Sequence, residues 1–236
     1  MEKMLMILLL GTAFSYGQTN GNGDGITTDT QAGIVIREVP IEGSRYMNEL
    51  YKAGETIING TQQTAALMRY DALNDAVELL DNNQQPRKLL RRKNIWATFD
   101  GKTYAVLDYK DGNRVKEGYF NPLNVGKTVL LFKPKKKFRQ AEKPDNGYDT
   151  YDPPAYLDIS EFYIKKGDAP AQLIKLNKRN VLKAIGGNTS ELKKFVSQYS
   201  LNLGKEEDVV QLLDYYNSIV PPVKKGSSGG GSSLGL

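Results

Sequence analysis

The side chains able to do chemistry form a restricted set. The 236 residues include no Cys and no His. That excludes thiolate nucleophiles, disulfides, imidazole bases and the usual zinc ligands. Carboxylates, Lys, Tyr and Ser remain. Asp108, Glu117 and Glu161 fall on expected strands and could pair as acid and base, as glycosidases require. With 27 Asp and Glu in the chain such pairs arise freely, and no spacing singles one out. No catalytic, cofactor-binding or metal-ligating residue is therefore assigned. Asn20-Gly21-Asn22-Gly23-Asp24-Gly25 imitates the first half of a calcium loop, but its twelfth position is Gln31 and not a bidentate carboxylate. Asp145 to Asp152 reads as a turn-rich loop rather than a metal site. The 14 Tyr suit half-buried sheet packing, with a glycan-stacking platform as the sharper alternative. Asn59-Gly60-Thr61 and Asn188-Thr189-Ser190 match a glycosylation pattern without settling anything.

Charge carries more. Residues 85–140 hold 15 Lys and Arg against 4 Asp and Glu, a local +11, and the remainder holds 17 against 23, a local −6. The basic runs are Arg87-Lys88, Arg91-Arg92-Lys93 and Lys133 to Arg139, interleaved with Trp96, Phe132 and Phe138; besides Lys133 they supply nine cations, Arg87, Lys88, Arg91, Arg92, Lys93, Lys135, Lys136, Lys137 and Arg139. These nine cations are the candidate partner-binding residues. An anionic surface such as lipopolysaccharide or an acidic protein suits them. The bland alternative is a solvated face, or a charged strand edge that prevents aggregation.

The elements that would carry these residues follow from hydrophobic period. Ile34-Val35-Ile36 reads as a strand ended by Pro40. Tyr46 to Ala53 reads as a short helix or irregular lead-in. From Met68 to Leu79 the period is two, with Leu73, Val77 and Leu79 on one face and Met68, Tyr70, Ala72 and Ala76 on the other. A turn or bulge at Asn74-Asp75 interrupts it. Asp100-Gly101 and Asp111-Gly112 separate the runs Ile95–Phe99, Thr103–Tyr109 and Val115–Phe120, the signature of consecutive hairpins. Thr128–Phe132, Ile159–Lys165 and Gln172–Ile174 add strands, and Lys133 to Pro154 reads as loose. The period then becomes 3.6, giving helices over 177–185, from Asn188 with a capping-box Glu191, and over 205–219. The expected fold is α+β: an antiparallel β-meander of six to eight strands followed by a small C-terminal unit of two or three helices.

The ends suggest a compartment. Met1 to Gly17 has the charged start, short apolar run and small residues of a secretory signal. Residues 18–32 read as a flexible linker, 33–176 as the β-rich domain, 177–223 as the helical unit and 226–236 as a linker- or tag-like tail. No Cys follows the apolar run, which excludes lipidation there, and no transmembrane span is expected in the mature chain. Export in turn argues against nucleic acid as a partner.

Several short motifs stand in a familiar order: Arg69-Tyr70-Asp71, Gly118-Tyr119-Phe120, Val129-Leu130-Leu131, Phe162-Tyr163-Ile164, Lys205-Glu206-Glu207-Asp208 and Tyr215-Tyr216-Asn217. In this order the chain resembles uncharacterised exported envelope proteins of Bacteroidota. The resemblance implies a Gram-negative envelope address, periplasmic or outer-membrane-associated, and carries no catalytic residues. The expected function is a non-enzymatic exported subunit or accessory protein of an outer-membrane-associated complex. A module binding a lipid, glycan or other anionic ligand is the alternative, and a carboxylate-based hydrolase the third reading.

Overall fold

The computed structural model describes residues 40–142, 151–187 and 189–220. The expected strand at Ile34–Ile36, the signal, the linker, the calcium-like run at 20–25 and the tail lie outside these residues. Among the described residues twelve strands are formed: β1 (Lys52–Ile58), β2 (Thr61–Asp71), β3 (Ala76–Leu80), β4 (Pro86–Lys88), β5 (Ile95–Phe99), β6 (Lys102–Asp111), β7 (Arg114–Pro122), β8 (Thr128–Lys133), β9 (Lys136–Arg139), β10 (Ala155–Asp158), β11 (Glu161–Lys166) and β12 (Gln172–Ile174). Three helices follow: α1 (Lys178–Ile185), α2 (Thr189–Gln198) and α3 (Glu206–Ile219). Ten strands make one curled antiparallel sheet in the order β12-β11-β8-β7-β6-β5-β1-β2-β3-β4, and β9 pairs with β10 apart from it.

The α+β class with C-terminal helices is therefore present, but the strand count exceeds the six to eight expected. One expected hairpin turn is present, and a further turn adds a strand. Asp100 and Gly101 both take positive φ, 52° and 68°, as a tight hairpin between right-twisted strands requires. Asn59 and Gly60 do the same at 51° and 78° and join β1 to β2. β1 is hidden because a register shift between Glu55 and Ile57 breaks its alternation, and because Gly54 stands inside it. A Cβ on Gly54 would lie 2.5 Å from both Phe99 Cβ and Thr98 O, so β1 approaches β5 where only glycine fits. The segment 133–154 is likewise not loose throughout, since its Lys-rich part forms β9. The face assignment across the β2–β3 turn is also corrected. Tyr70 pairs with Val77 and Met68 with Leu79, so Val77 joins Met68, Tyr70 and Ala72 in one core.

Among the described residues three apolar clusters form the core. Met68, Tyr70, Val77, Ala97, Phe99, Tyr104, Val106 and Tyr119 fill the curl of β2–β7, with Phe99 stacked on Tyr104 at 4.5 Å. Phe120, Val129, Leu131, Tyr163 and Ala171 fill a second space beyond β7. There Ala171 returns to β6, donating to Asp108 O and accepting from Lys110 N. The helices pack on the sheet through Leu130, Ile164, Ile174, Val181, Leu182, Leu192, Leu212 and Leu213. Each such aliphatic side chain contributes about 1.5–3 kcal/mol on burial. Asn217 on α3 fixes the dock: its Oδ1 accepts from Thr128 N at 2.9 Å and its Nδ2 donates to Thr128 O at 2.8 Å, as a neighbouring strand would. At the start of α1, Asn177 Oδ1 accepts from Asn180 N, and Gly186 at φ 63° closes the helix. The Asn188 cap lies outside the described residues, and Glu191 accepts from the Tyr215 hydroxyl at 3.0 Å.

Candidate functional site

Two places concentrate polar chemistry, and they differ in kind. The first lies where β7 and β8 part. These strands pair only at Asn121–Phe132 and Pro122–Leu131, so the rest of the β7 edge has no ladder partner. Asp75, at the tip of the β2–β3 hairpin with φ 51°, accepts there from Tyr119 N at 3.2 Å and from the Tyr70 hydroxyl at 2.5 Å. Lys133 at the end of β8 lies 3.3 Å from Asp75 and donates to Tyr119 O at 3.4 Å. Its ammonium also sits 4.9 Å from the Tyr109 ring centre and 4.7 Å from that of Phe120. Gly118 leaves the space: a Cβ there would lie 2.5 Å from Lys133 Nζ and 2.8 Å from Asp75 Oδ2. Arg91 closes the outer side by donating to the Asp75 carbonyl.

A buried Lys beside Tyr and Asp is a pattern that enzymes use. Burial lowers the Lys133 pKa despite Asp75, and burial with Asp75 raises Tyr70 well above its ordinary value. Burial also pushes Tyr119 up to about 12. Yet Lys133 is only 5% exposed, and its ammonium is held by Asp75 and the Tyr119 carbonyl. The cluster supplies hydrogen bonds that a parted ladder lacks. The carboxylates considered as an acid–base pair are also placed. Asp108 and Glu117 face each other across β6 and β7 and share Lys93, at 2.8 and 3.2 Å, on the open surface. Glu161 sits elsewhere, beside Lys135.

The nine predicted partner-binding cations do not form one free surface. Six are in ion pairs: Arg87 with Asp81, Arg91 with Asp75, Lys93 with Asp108 and Glu117, Lys135 with Glu161, Lys136 with Asp158, and Arg139 with Asp152. Lys88 lies opposite Glu78 on the outer strand β4. Arg92 and Lys137 are exposed.

The second place is α1 and its surroundings. A groove of about 470 Å³ runs between the end of the β11–β12 hairpin and α1. Ile164, Ile174, Leu173 and Ala184 give it apolar walls, and Lys166, Lys175 and Lys183 stand around it. A shallower hollow of about 610 Å³ adjoins it on the other side of α1, flanked by Lys178, Arg179, Lys183 and Lys193 with Leu182 beneath. Among the described residues, Lys175, Lys178, Arg179, Lys183 and Lys193 form no ion pair, and α1 has no acidic residue in its first turn. Lys166 donates to Ile185 O at 2.7 Å, at the C-terminal end of α1. Sequence reading missed this surface because its cations are spread over β11, the β12–α1 link and two helices. The legible signal was Arg179 and Lys183, one turn apart with no acidic partner at that spacing.

No family model, curated protein or solved structure matches the chain.

Proposed function

We propose that this chain is a non-enzymatic accessory protein of a cell-envelope assembly, and that it holds an anionic partner on the α1 face. The observation that carries the reading is the contrast in pairing. Six of the nine cations in the linear basic runs are paired with carboxylates, whereas those around α1 stand unpaired above apolar walls. Unpaired surface cations raise the local concentration of an oppositely charged partner and set its register, and the apolar walls supply contact area. The signal-like N-terminus supports the envelope address. The absence of Cys and His, and a Lys–Asp–Tyr cluster engaged in holding the fold, support a binding role over a catalytic one.

The test is affinity purification of the tagged chain from mild-detergent extracts of its own cells. The wild-type chain is expected to carry a partner in fixed stoichiometry, and Lys178→Glu with Arg179→Glu and Lys183→Glu to release it. Recovery of the same partner by the reversed chain would refute the assignment to α1. Elution of the wild-type chain alone would refute the subunit reading.

A further inference from the structure

We infer that the outer edge of β12 takes an extended acidic segment of the partner as an added strand, seated in the groove between β12 and α1. The inference rests on the reading of this face as the docking surface and names the chemistry of what docks. Backbone direction is its first support. Ala171 uses its N–H and C=O toward β6, away from β11. Backbone groups alternate sides along a strand, so Leu173 also points its pair away from β11. Among the described residues neither group of Leu173 has a partner, since β11 bonds the alternate positions. An extended peptide has the complementary donor and acceptor, which an acyl chain does not.

The treatment of the two sheet edges is the second support. The opposite edge, β4, reads Pro86-Arg87-Lys88 and is exposed at all three positions. A proline and two cations on the strand are a standard defence against strand addition. β12 reads Gln172-Leu173-Ile174, with neither proline nor charge, and Leu173 is 58% exposed. Its cations lie around the strand and not on it: Lys175 follows it, Lys166 comes from β11 and Lys183 from α1. A groove volume of about 470 Å³ falls within the roughly 300–1,000 Å³ of ligand clefts. The added strand would set alternate apolar residues on the groove walls and acidic residues near the three lysines. One exposed backbone pair offers only two main-chain hydrogen bonds, so charge and apolar contact must supply most of the affinity.

The experiment uses a phage-displayed random dodecapeptide library selected on the immobilised full chain, followed by binding of the enriched peptides in solution. Peptides alternating acidic and apolar residues are expected. Leu173→Pro should weaken their binding about tenfold or more while leaving the melting temperature unchanged, because the lost N–H makes no bond within the sheet. Lys175→Glu with Lys183→Glu should abolish binding. Loss of binding with the charge reversal but not with Leu173→Pro would overturn strand addition and leave the docking face intact. Binding indifferent to both variants, or enrichment without acidic residues, would overturn both. Should Leu173→Pro fail to fold, the wild-type Leu173 amide serves as the probe: peptide should slow its hydrogen exchange, and unchanged exchange overturns strand addition. Native mass spectrometry showing a bound anionic lipid, released by Lys183→Glu and indifferent to the acidic peptides, would assign the groove to lipid and overturn the peptide.

Discussion

The wedge between β7 and β8 and the face around α1 use the same residue types to opposite ends. In the wedge one ammonium, one carboxylate and the Tyr70 hydroxyl meet one another and the backbone of Tyr119. Around α1 the cations stand free, with apolar walls and an unpaired backbone pair close by. Pairing, and not the density of charge along the chain, separates the two. Where a carboxylate from a distant part of the sequence reaches a cation, the pair builds the fold. Where none arrives, the charge stays unpaired at the surface.

Breaking the wedge should have the largest effect. Asp75→Ala strands Lys133 and removes the acceptor of Tyr119 N and Tyr70, so it should cost about 3–5 kcal/mol in urea unfolding. Lys133→Met should cost less, since Arg91 still faces Asp75. The double variant should fall well short of the sum, with a coupling of roughly 1 kcal/mol or more. Strict additivity would mean that the two residues do not act together.

Asn217→Ala sharpens the comparison at the seam between sheet and helices. It removes the acceptor of Thr128 N and one of the two donors to Thr128 O, Asn124 Nδ2 remaining at 3.1 Å, and should cost about 1–3 kcal/mol, with faster hydrogen exchange in α3. Unchanged exchange would show that apolar packing alone holds the helix.

Acid tests a second buried pair. Asp71 is buried, which alone would raise its pKa, but bonds from Arg45 and Asn74 outweigh burial and hold it below its ordinary value. A depressed carboxylate adds stability that is present above its unfolded pKa and lost as pH falls through the folded one. The urea midpoint should therefore decline on acidification below about pH 4. Asp71→Asn should lower the midpoint at neutral pH and flatten that part of the decline. An equally steep decline in the variant would place the acid sensitivity elsewhere.

The smallest stability effects belong to free cations. Lys137→Glu and Lys183→Glu should each stay within about 0.5 kcal/mol of wild type. Lys136→Glu should lower stability by up to about 1 kcal/mol, because Lys136 is 17% exposed and paired with Asp158 at 3.2 Å. Equal thermal shifts in all three would erase the distinction between paired and free charge.

Much of the fold was legible where local chemistry matches final geometry. Asp-Gly turns fixed β5 to β7, and 3.6-residue periodicity placed the three helices. The rest depends on partners remote in sequence. β1 carries a register shift and a glycine forced by Phe99. β9 looks like a charged linker until β10 pairs with it and Asp158 and Asp152 meet its cations. Asn59-Gly60 was a readable hairpin turn overlooked beside a glycosylation pattern.

The motifs that carried the resemblance have structural work to do. The Arg69 guanidinium lies 3.6 Å from the Tyr46 ring centre and 4.3 Å from that of Tyr51, and it bonds Glu78. Tyr70 meets Asp75, Asp71 meets Arg45, Gly118 makes room for Lys133, and Asn217 docks α3. The proposed site was illegible for the converse reason. Linear basic runs drew attention, the sheet then paired most of them, and the unpaired cations were scattered across separate elements.

The most direct test is a matched pair of double reversals, each at exposed cations outside any ion pair: Lys178→Glu with Lys183→Glu on α1, and Arg92→Glu with Lys137→Glu away from it. Both proteins should melt with the wild type. Partner recovery in mild detergent should be lost only with the α1 reversals. Loss with the Arg92 and Lys137 reversals, and full recovery with those on α1, would contradict the account.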